Sequence, residues 1–279
     1  MNSAHLRKTT ATKWFRDLRN LICKDFEYFE NNNSKKKLKF TRSRWNKSKT
    51  KSEGGGEISI LRNGNIFEKV GVNISVVNGN FDKKFKNKIP GTKKSSKFWA
   101  SGISVVAHFQ NPKIPSLHFN TRYIITSKEW FGGGMDVTPC IRDNEQKKYF
   151  HQELKQMCSN HNKNYYKLHK LNCDKYFFLP HRNEPRGDGG IFYDYLDSDW
   201  ENDFLYTKDV GEVFLKIANN IIKRKMKQKW TKKDREKQLV KRARYAEFNL
   251  LHDRGTKFGL STEGNIEAIF MSLPPLASW

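Results

Sequence analysis

The chain has 279 residues, with 53 Lys and Arg against 29 Asp and Glu, which gives a formal net charge of +24 at pH 7. This length can bury one sizeable hydrophobic core, and we expect a single domain over residues 1–279. No stretch approaches the roughly 18 apolar residues that a membrane-spanning helix needs, and the mean hydropathy of −0.83 agrees. The composition therefore predicts a soluble chain and excludes a membrane-spanning one.

The basic excess has two interpretations. A charge of this size is typical of proteins that bind nucleic acid, acidic membrane surfaces or anionic substrates. Much of it falls, however, in Lys-, Asn- and Ser-rich stretches at about residues 31–52 and 82–97, where few aromatic residues interleave. Biased composition of this kind is often a solvated surface insertion. We therefore expect two basic insertions and no nucleic-acid partner, with an RNA-associated protein as the alternative.

The cysteines indicate the compartment. Cys23, Cys140, Cys158 and Cys173 are dispersed without a C-x-x-C pair, which argues against a disulfide framework and against zinc or iron–sulfur sites built on thiolates. The N-terminus is basic and lacks the apolar segment of a secretory signal. We expect a cytoplasmic protein, with a weak organellar import signal left open.

The first half of the chain reads as one helix followed by strands. Apolar residues at helical spacing predict an amphipathic helix over residues 12–30. Asn63-Gly64 and Asn78-Gly79 are typical of tight hairpin turns. The strands predicted around them span residues 58–61, 65–68, 70–77, 103–108 and 119–126.

The second half alternates helices with strands. The predicted helices span about 143–159, 165–178, 210–225 and 232–244, and the predicted strands span 190–195, 246–251, 257–260 and 266–272. Strands joined first by hairpins and then separated by paired helices predict an α+β fold with a large antiparallel sheet.

Residues 130–139 (WFGGGMDVTP) are the most unusual segment. Three consecutive glycines are costly to order and add no side chain to a core, so they suit a backbone that another group approaches closely. A flexible loop tip is the alternative, although flexible linkers seldom carry Trp-Phe on one side and Asp-x-Thr-Pro on the other. We expect the backbone of this segment to form a wall that another group contacts closely, with Asp136 facing that group.

Three polar clusters could carry chemistry. A strand over 119–126 would place Asn120 and Arg122 on one face with His118 at its edge, near His108, although a solvated sheet face gives the same pattern. The segment 181–190 (HRNEPRGDGG) is a turn-rich, charged loop. The third cluster, 253–256 (DRGT), contains an Asp-Arg pair that can equally be structural.

Several common enzyme signatures are absent from the sequence. It contains no P-loop, H-E-x-x-H, G-x-S-x-G or zinc-deaminase motif. His108, His118, His151 and His181 match no compact metal-ligand spacing, although imidazole suits several transition metals. We do not favour a metal site.

Seven sequence blocks run in one order over nearly the whole chain. They are 61–64 (LRNG), 67–73 (FEKVGVN), 111–112 with 118–122 (NP, HFNTR), 130–139, 181–190, 244–260 and 271–275 (MSLPP). In these blocks the chain resembles the oxygen-dependent coproporphyrinogen III oxidases of haem biosynthesis. The resemblance implies a homodimer whose antiparallel sheet is covered by helices on both faces. It also implies oxidative decarboxylation of two propionates of coproporphyrinogen III to vinyl groups, with O2 as co-substrate, giving protoporphyrinogen IX.

The resemblance also implies roles for single residues. His118 matches the proton donor, and Asp136 matches the carboxylate that engages the pyrrole N–H groups, with Asp253 as a second candidate. Arg122 and Arg254 would clamp propionates, which planar guanidinium groups bind bidentately. The other positions that match substrate contacts are Ser104, Asn120, Thr121, Glu263, Gly264 and Asn265.

The same resemblance bears on cofactors. A carboxylate that accepts a pyrrole proton makes the electron-rich porphyrinogen more reactive toward O2, so we expect no organic cofactor. A divalent metal held by His108, His118, His151 and His181 is an alternative that we do not favour.

Two departures from the family pattern stand out. Asn265 occupies a position where many relatives carry arginine, so one propionate contact is expected to be weaker or supplied elsewhere. The chain stops at Trp279, where relatives usually continue into a helical segment, and we expect a truncated C-terminus.

Overall fold

The centre of the fold is a seven-stranded antiparallel sheet, seen in a computed structural model that describes residues 3–32, 37–48, 52–82, 89–261 and 264–279. The strands are β1 (Thr41–Asn46), β2 (Gly54–Arg62), β3 (Phe67–Asn80), β4 (Lys97–Phe109), β5 (Ser116–Ile125), β6 (Glu129–Thr138), β7 (Phe178–Leu179), β8 (Glu184–Pro185) and β9 (Gly190–Leu196). The sheet order is β1-β2-β3-β4-β5-β6-β9, and β7 and β8 form a separate two-stranded ladder.

Helices account for most of the remaining described chain. They are α1 (Ser3–Asn31), α2 (Asn144–His161), α3 (Tyr165–Tyr176), α4 (Trp200–Lys225), α5 (Lys232–Leu251), α6 (Arg254–Ser261) and α7 (Ile266–Ile269). Short 3-10 turns follow at Pro180–Arg182 and Phe270–Ser272. None of the helices in the described ranges is both long and apolar enough to cross a membrane.

The main hydrophobic core lies on one face of the sheet, under α1 and α4. α1 packs on β3 and β4, and α4 packs on β5 and β6. The alternation of β5 shows how the sequence builds this face, because Phe119 is fully buried and stacks on Phe214 of α4 with ring centroids 4.9 Å apart. The residues on either side of Phe119, His118 and Asn120, must therefore project from the opposite face.

The opposite face is covered in part by α5 and the C-terminal segment. Tyr245 of α5 contacts the His108 ring edge-on at 5.1 Å between ring centroids. Met271 packs over β3 at Gly71, where a Cβ would lie 2.2 Å from the Met271 Cγ atom, so only glycine allows this approach. The α+β prediction of a large antiparallel sheet with helices on both faces is thus confirmed.

The helix predicted over 12–30 and the hairpin predicted at Asn63-Gly64 are confirmed. Asn63 adopts a left-handed backbone with φ of 55°, and the Gly64 amide donates to the Phe67 carbonyl at 2.9 Å. The turn predicted at Asn78-Gly79 is wrong, since both residues continue β3 and pair with Trp99 and Phe98 of β4. The pairing partner that β4 offers outweighs the local turn preference.

The strands predicted at 246–251, 257–260 and 266–272 are also wrong, because all three segments are helical. A capping box between Thr231 and Asp234 starts α5, which continues to Leu251. Tyr245 and Phe248 are buried whereas Leu250 and Leu251 are exposed, which is a helical burial pattern. A short apolar run does not by itself distinguish a strand from a buried helix end.

Parts of both basic stretches belong to the sheet, and their assignment as insertions stays a prediction. Residues 41–46 of the first stretch form β1, which pairs with β2 so that Thr41 lies opposite Ile60 and Asn46 lies opposite Gly55. The second stretch ends in β4, which begins at Lys97. Residues 33–36, 49–51 and 83–88 lie outside the described residues. The single-domain extent stays a prediction.

Candidate active site

A cavity of about 900 Å³ lies on the sheet face opposite α1 and α4. Its volume falls at the upper end of the range of about 300–1,000 Å³ that ligand pockets occupy. Strands of the sheet form its floor, α3 and β9 contribute one wall, and α5, α6 and the C-terminal segment contribute another. The cavity can therefore admit a large ligand.

The register of β3, β4, β5 and β6 arranges the floor in rows. Residues paired across antiparallel strands project to the same face, and each row combines small residues with one or two polar groups. The rows are Ser75, Gly102, Arg122 and Gly132; Asn73, Ser104, Asn120 and Gly134; and Gly71, Val106, His118 and Asp136. Of these small residues, Ser75, Gly102 and Ser104 line the cavity beside the polar groups of β5.

His118 lies between an amide and a carboxylate. Its Nδ1 is 2.7 Å from Asp136 Oδ1, and its Nε2 is 3.1 Å from Asn120 Nδ2. Arg122 donates to the Asn120 Oδ1 at 3.4 Å, which turns the amide nitrogen of Asn120 toward His118. Because that amide can only donate, Nε2 accepts and Nδ1 carries the proton donated to Asp136.

Asp136 is buried behind His118 and does not line the cavity. Its side chain is 2% exposed, and its second oxygen, Oδ2, accepts from Arg186 Nη2 at 2.6 Å. Burial alone would raise the pKa of Asp136, but the Arg186 charge and the hydrogen bond from His118 outweigh it and hold the pKa below its usual value. The carboxylate is thus ionised and fully engaged, and its expected contact with substrate N–H groups, which stays a prediction, is not favoured by this position.

The glycine run that precedes Asp136 is part of strand β6 and is buried, so it is not a loop tip. At Gly132 a Cβ would lie 2.5 Å from Asp194 Oδ1 and 3.0 Å from Arg122 Nη2. The group that approaches this backbone closely is therefore the Arg122–Asp194 ion pair of the cavity.

Arg122 and Arg254 share an aromatic platform. The Arg254 guanidinium lies 4.8 Å from the Tyr176 ring and 5.5 Å from the Phe192 ring, and Arg122 lies 6.0 Å from Phe192. Tyr176 stacks on Phe192 with an interplanar angle of 1°. Arg122 also pairs with Asp194 at 2.8 Å. The β5 arginine and the α6 arginine thus meet over one ring, although 132 positions separate them in the sequence.

Asp253 lines the cavity at the junction of α5 and α6. Tyr176 donates its hydroxyl to Asp253 Oδ1 at 2.7 Å, and the Thr256 amide donates to Oδ2 at 2.6 Å. The Arg254 amide in turn donates to the Tyr176 hydroxyl at 3.0 Å. Burial, and then the Asp253 charge, raise the pKa of Tyr176 to about 12. Tyr176 therefore stays a neutral donor that fixes this carboxylate.

The remaining expected contact residues are placed differently. Ser104 lines the cavity floor, whereas the Thr121 hydroxyl is turned to the core side, 3.0 Å from the Tyr193 hydroxyl. Gly264 and Asn265 line the cavity. Asn265 accepts from the Ala268 amide at 2.9 Å and caps α7. Glu263 lies outside the described residues.

His108 is placed for a structural role. It is fully buried, with Nδ1 at 3.0 Å from the Ser116 hydroxyl and Nε2 at 2.9 Å from the Ser272 carbonyl. Burial lowers the pKa of His108 to about 3, so the ring stays neutral. It anchors the C-terminal 3-10 turn that forms part of the cavity wall.

The other two histidines of the alternative metal site are also engaged separately. His151 contacts the Asp188 carbonyl at 2.9 Å and the Tyr166 hydroxyl at 3.1 Å. His181 bonds Glu247 at 2.8 Å. In the parts of the chain that the structure describes, no three His, Cys, Asp or Glu side chains are grouped to hold a metal ion. The four histidines therefore do not fit one common metal site, and the metal dependence of the reaction stays untested.

Two further groups were missed by sequence reasoning. Arg186 lies in the segment 181–190, which was singled out without a role for this residue. Lys47 lies in the stretch that was interpreted as an insertion, yet it lines the cavity with its Nζ 5.2 Å from the Phe98 ring. No motif marks Lys47, because only the β1–β2 pairing brings it to this edge of the cavity.

The family model for coproporphyrinogen III oxidase matches residues 10–279. The chain belongs to this family. The oxygen-dependent coproporphyrinogen-III oxidase of Rickettsia bellii (strain OSU 85-389) is 50% identical over 277 residues, which cover 98% of each chain. Those of Rickettsia rickettsii (strain Sheila Smith) and Rickettsia africae (strain ESF-5) are each 50% identical over 273 residues, 96% of each chain. The truncated C-terminus stays a prediction.

Proposed function

We propose that this chain is an oxygen-dependent coproporphyrinogen III oxidase, which converts two propionates of its substrate to vinyl groups. The observation that carries the proposal is the meeting of Arg122, Arg254 and the His118–Asp136 pair at one 900 Å³ cavity. The near full-length identity of 50% to oxidases of this name supports the same conclusion.

Charge complementarity supports a tetra-anionic macrocycle as substrate. Arg122 and Arg254 lie on one side of the cavity and Lys47 lies at the β1 edge, with Lys257 also in the lining. At about 4.8 Å between neighbouring strands, roughly 19 Å separate β1 from β5, enough for a porphyrinogen to lie between them. Lys47 and Lys257 are then the groups that offset the arginine missing at Asn265.

The chemistry must balance for each propionate. The C–C bond to the carboxylate breaks and releases CO2, a C–H bond breaks at the carbon attached to the pyrrole, and a C=C bond forms. Two electrons and the C–H proton pass to O2, which takes one further proton and becomes hydrogen peroxide. The reaction therefore needs one external proton for each vinyl group.

His118 is the group that supplies this proton. Its Nε2 faces Asn120 at the cavity, and its Nδ1–H donates to the ionised Asp136. With Nδ1 held by the Asp136 carboxylate, Nε2 is the ring nitrogen that is placed to transfer a proton to a group bound in the cavity. Asp253, in the lining, is the carboxylate that contacts the pyrrole N–H groups. This scheme uses no organic cofactor and no step through a metal, and chelator treatment followed by metal addition tests that part.

The activity assay decides between an enzyme and a basic, RNA-associated protein that keeps the fold. Purified chain is mixed with coproporphyrinogen III under nitrogen and then exposed to air, and protoporphyrin fluorescence is read after oxidation of the product. We expect product only under air. A His118→Gln variant purified in the same way controls for host enzyme. No product under air, together with salt-sensitive RNA binding of steep slope, would favour the alternative.

The expected homodimer is part of this proposal. Several large apolar side chains between residues 250 and 279 remain exposed and support it, since exposed apolar surface can mark an interface. These side chains are Leu250, Leu251, Leu260, Ile266, Leu276 and Trp279. Light scattering over a concentration series tests it, and a monomer at all concentrations would contradict it. The cytoplasmic location stays a prediction, to be checked by cell fractionation.

A further inference from the structure

Arg186 is a fully buried cation in an aromatic cage. Its side chain is 2% exposed, and its guanidinium carbon lies 4.0 Å from the Phe177 ring, 4.5 Å from the Tyr245 ring and 4.7 Å from the Phe248 ring. The Arg186 amide donates to the Phe177 carbonyl at 2.9 Å. Three ring faces stabilise a guanidinium that has left water. The cage therefore selects both the charge and the flat shape of this group.

The hydrogen bonds of Arg186 point to Asp136. Nη2 donates to Asp136 Oδ2 at 2.6 Å, while Nε has no partner among the described residues. A buried ion pair is weak support for stability, because well-packed apolar groups of the same volume are often as stable or more so. Folding alone thus gives no sufficient reason for a charged pair here.

Asp136 connects Arg186 to His118, which lies at the cavity. Its two oxygens divide between the two partners, Oδ2 for Arg186 and Oδ1 for His118. If Arg186 were absent, the burial of Asp136 would favour its protonated form. A protonated Asp136 would no longer offer His118 a negative acceptor.

We propose that Arg186 is a positioning residue, which keeps Asp136 anionic and so fixes the orientation and the protonation of His118 at the cavity. This inference deepens the function proposed above and rests on it. The order of contact is Arg186, Asp136, His118 and then substrate. Arg186 also borders the cavity, but its guanidinium is held against Asp136 and three aromatic rings, and its positioning role requires no contact with the macrocycle.

Removal of Arg186 tests the proposal through kcat and its pH dependence. We expect Arg186→Ala to lower kcat by roughly 10–100-fold, the factor that corresponds to the loss of one hydrogen bond to a charged group, with a smaller change in KM. Because Asp136 then protonates at higher pH, the acidic limb of the kcat profile should move to higher pH. If the acidic limb of the kcat profile stays at the same pH in Arg186→Ala, the proposal is overturned.

The aromatic cage allows chemical rescue. Guanidinium chloride at millimolar concentration should restore part of the lost kcat in Arg186→Ala and return the acidic limb toward its original position. Urea, which is flat but neutral, and sodium chloride should not. Equal recovery with urea would show that the cage needs only to be filled, and would contradict a role for the charge.

Arg242→Ala is the matched control. Arg242 is as deeply buried, at 1% side-chain exposure, and pairs with Glu68 at 2.8 Å, outside the cavity lining. Its loss should lower the melting temperature while the pH limb of kcat stays in place. A limb shift of the same size in both variants would indicate a general effect of destabilisation and contradict the proposal.

A measurement without turnover separates this inference from the proposed activity. The ring ¹⁵N shifts of His118, assigned with a His118→Gln sample, report its tautomer and its titration. We expect Arg186→Gln to change both, whether or not porphyrinogen is converted. Unchanged shifts would overturn the inference alone, whereas shifted signals in a chain that makes no product would overturn only the proposed function.

Discussion

Asn120 donates from its amide nitrogen to His118 Nε2 at 3.1 Å, so the ring nitrogen that faces the cavity is held as an acceptor before substrate arrives. The same Asn120 accepts from Arg122 through its Oδ1 at 3.4 Å. One amide thus connects Arg122, the proposed carboxylate-binding residue, with His118, the proposed proton donor.

Two substitutions at Asn120 separate these roles. Asn120→Ala removes one hydrogen bond to His118, worth about 0.5–1.5 kcal/mol, and should lower kcat by up to about tenfold with little change in KM. Asn120→Asp places a negative charge beside Arg122 and should raise KM, because it repels the substrate carboxylates. Steady-state kinetics under air measure both constants. Identical KM values for the two variants would contradict this assignment.

The two acidic residues should respond differently to the same substitution. Asp136→Asn should lower kcat strongly and leave KM nearly unchanged, because Asp136 is buried behind His118. Asp253→Asn should change both constants, because Asp253 lines the cavity. Asp143→Asn, which disturbs an ion pair with Lys225 elsewhere, is the control. A KM change in Asp136→Asn equal to that in Asp253→Asn would place Asp136 in contact with substrate.

The cations of the cavity should affect substrate binding unequally. Loss of a hydrogen bond to a charged group costs about 1.5–3 kcal/mol, so Arg122→Gln and Arg254→Gln should each raise KM by roughly 10–100-fold. Lys47→Gln should raise KM less, since its Nζ already bonds the Asn78 carbonyl at 3.0 Å. Lys13→Gln on the outer face of α1, which removes one exposed positive charge, is the control. If it raised KM as much as Lys47→Gln, net charge would account for the effect and Lys47 would bind nothing.

The sequence predicted which face of the sheet holds the candidate site residues, but it did not predict which of these residues are buried. Alternation along β5 was enough to place Asn120 and Arg122 together, because side-chain direction in a strand follows from position alone. The burial of Asp136 could not be predicted in this way. The burial of Asp136 depends on Arg186. This residue lies in the loop after β8, bonds Asp136 and packs against two rings of α5.

The errors in the fold have a related cause. Residues 246–251 and 266–272 carry short apolar runs whose local pattern suits a strand or a helix. In the structure they cover the cavity as helices, and their partners, such as His108 for the Ser272 carbonyl and Phe177 for the Phe248 ring, are distant in sequence. Lys47 was missed for the same reason, because its place in the cavity depends on the pairing of an edge strand.

Glu247 leads to a prediction about stability and pH. It accepts hydrogen bonds from Arg182 at 2.7 and 3.0 Å, from His181 at 2.8 Å and from the Trp279 indole at 2.9 Å. The hydrogen bonds from Arg182 lower the pKa of Glu247 from 4.5 to about 2, although burial opposes them. A folded-state pKa below the unfolded value stabilises the fold above pH 4.5, and this contribution is lost as pH falls toward 2.

Glu247→Gln should therefore lower the free energy of unfolding at pH 7 by about 0.2–1 kcal/mol, the range for an ion pair whose cationic partner is open to solvent, as Arg182 is. The difference from the unsubstituted chain should narrow steadily below about pH 4.5, because the carboxylate of the unfolded chain takes up a proton there while that of the folded chain stays ionised until about pH 2. Urea titrations at a series of pH values measure both quantities. Glu236→Gln, on the exposed side of α5, should show no such narrowing. If the difference in unfolding free energy stayed constant from pH 7 to pH 3, packing around residue 247, and not its charge, would account for the lost stability. Only the contribution of the ionised carboxylate depends on pH in this range.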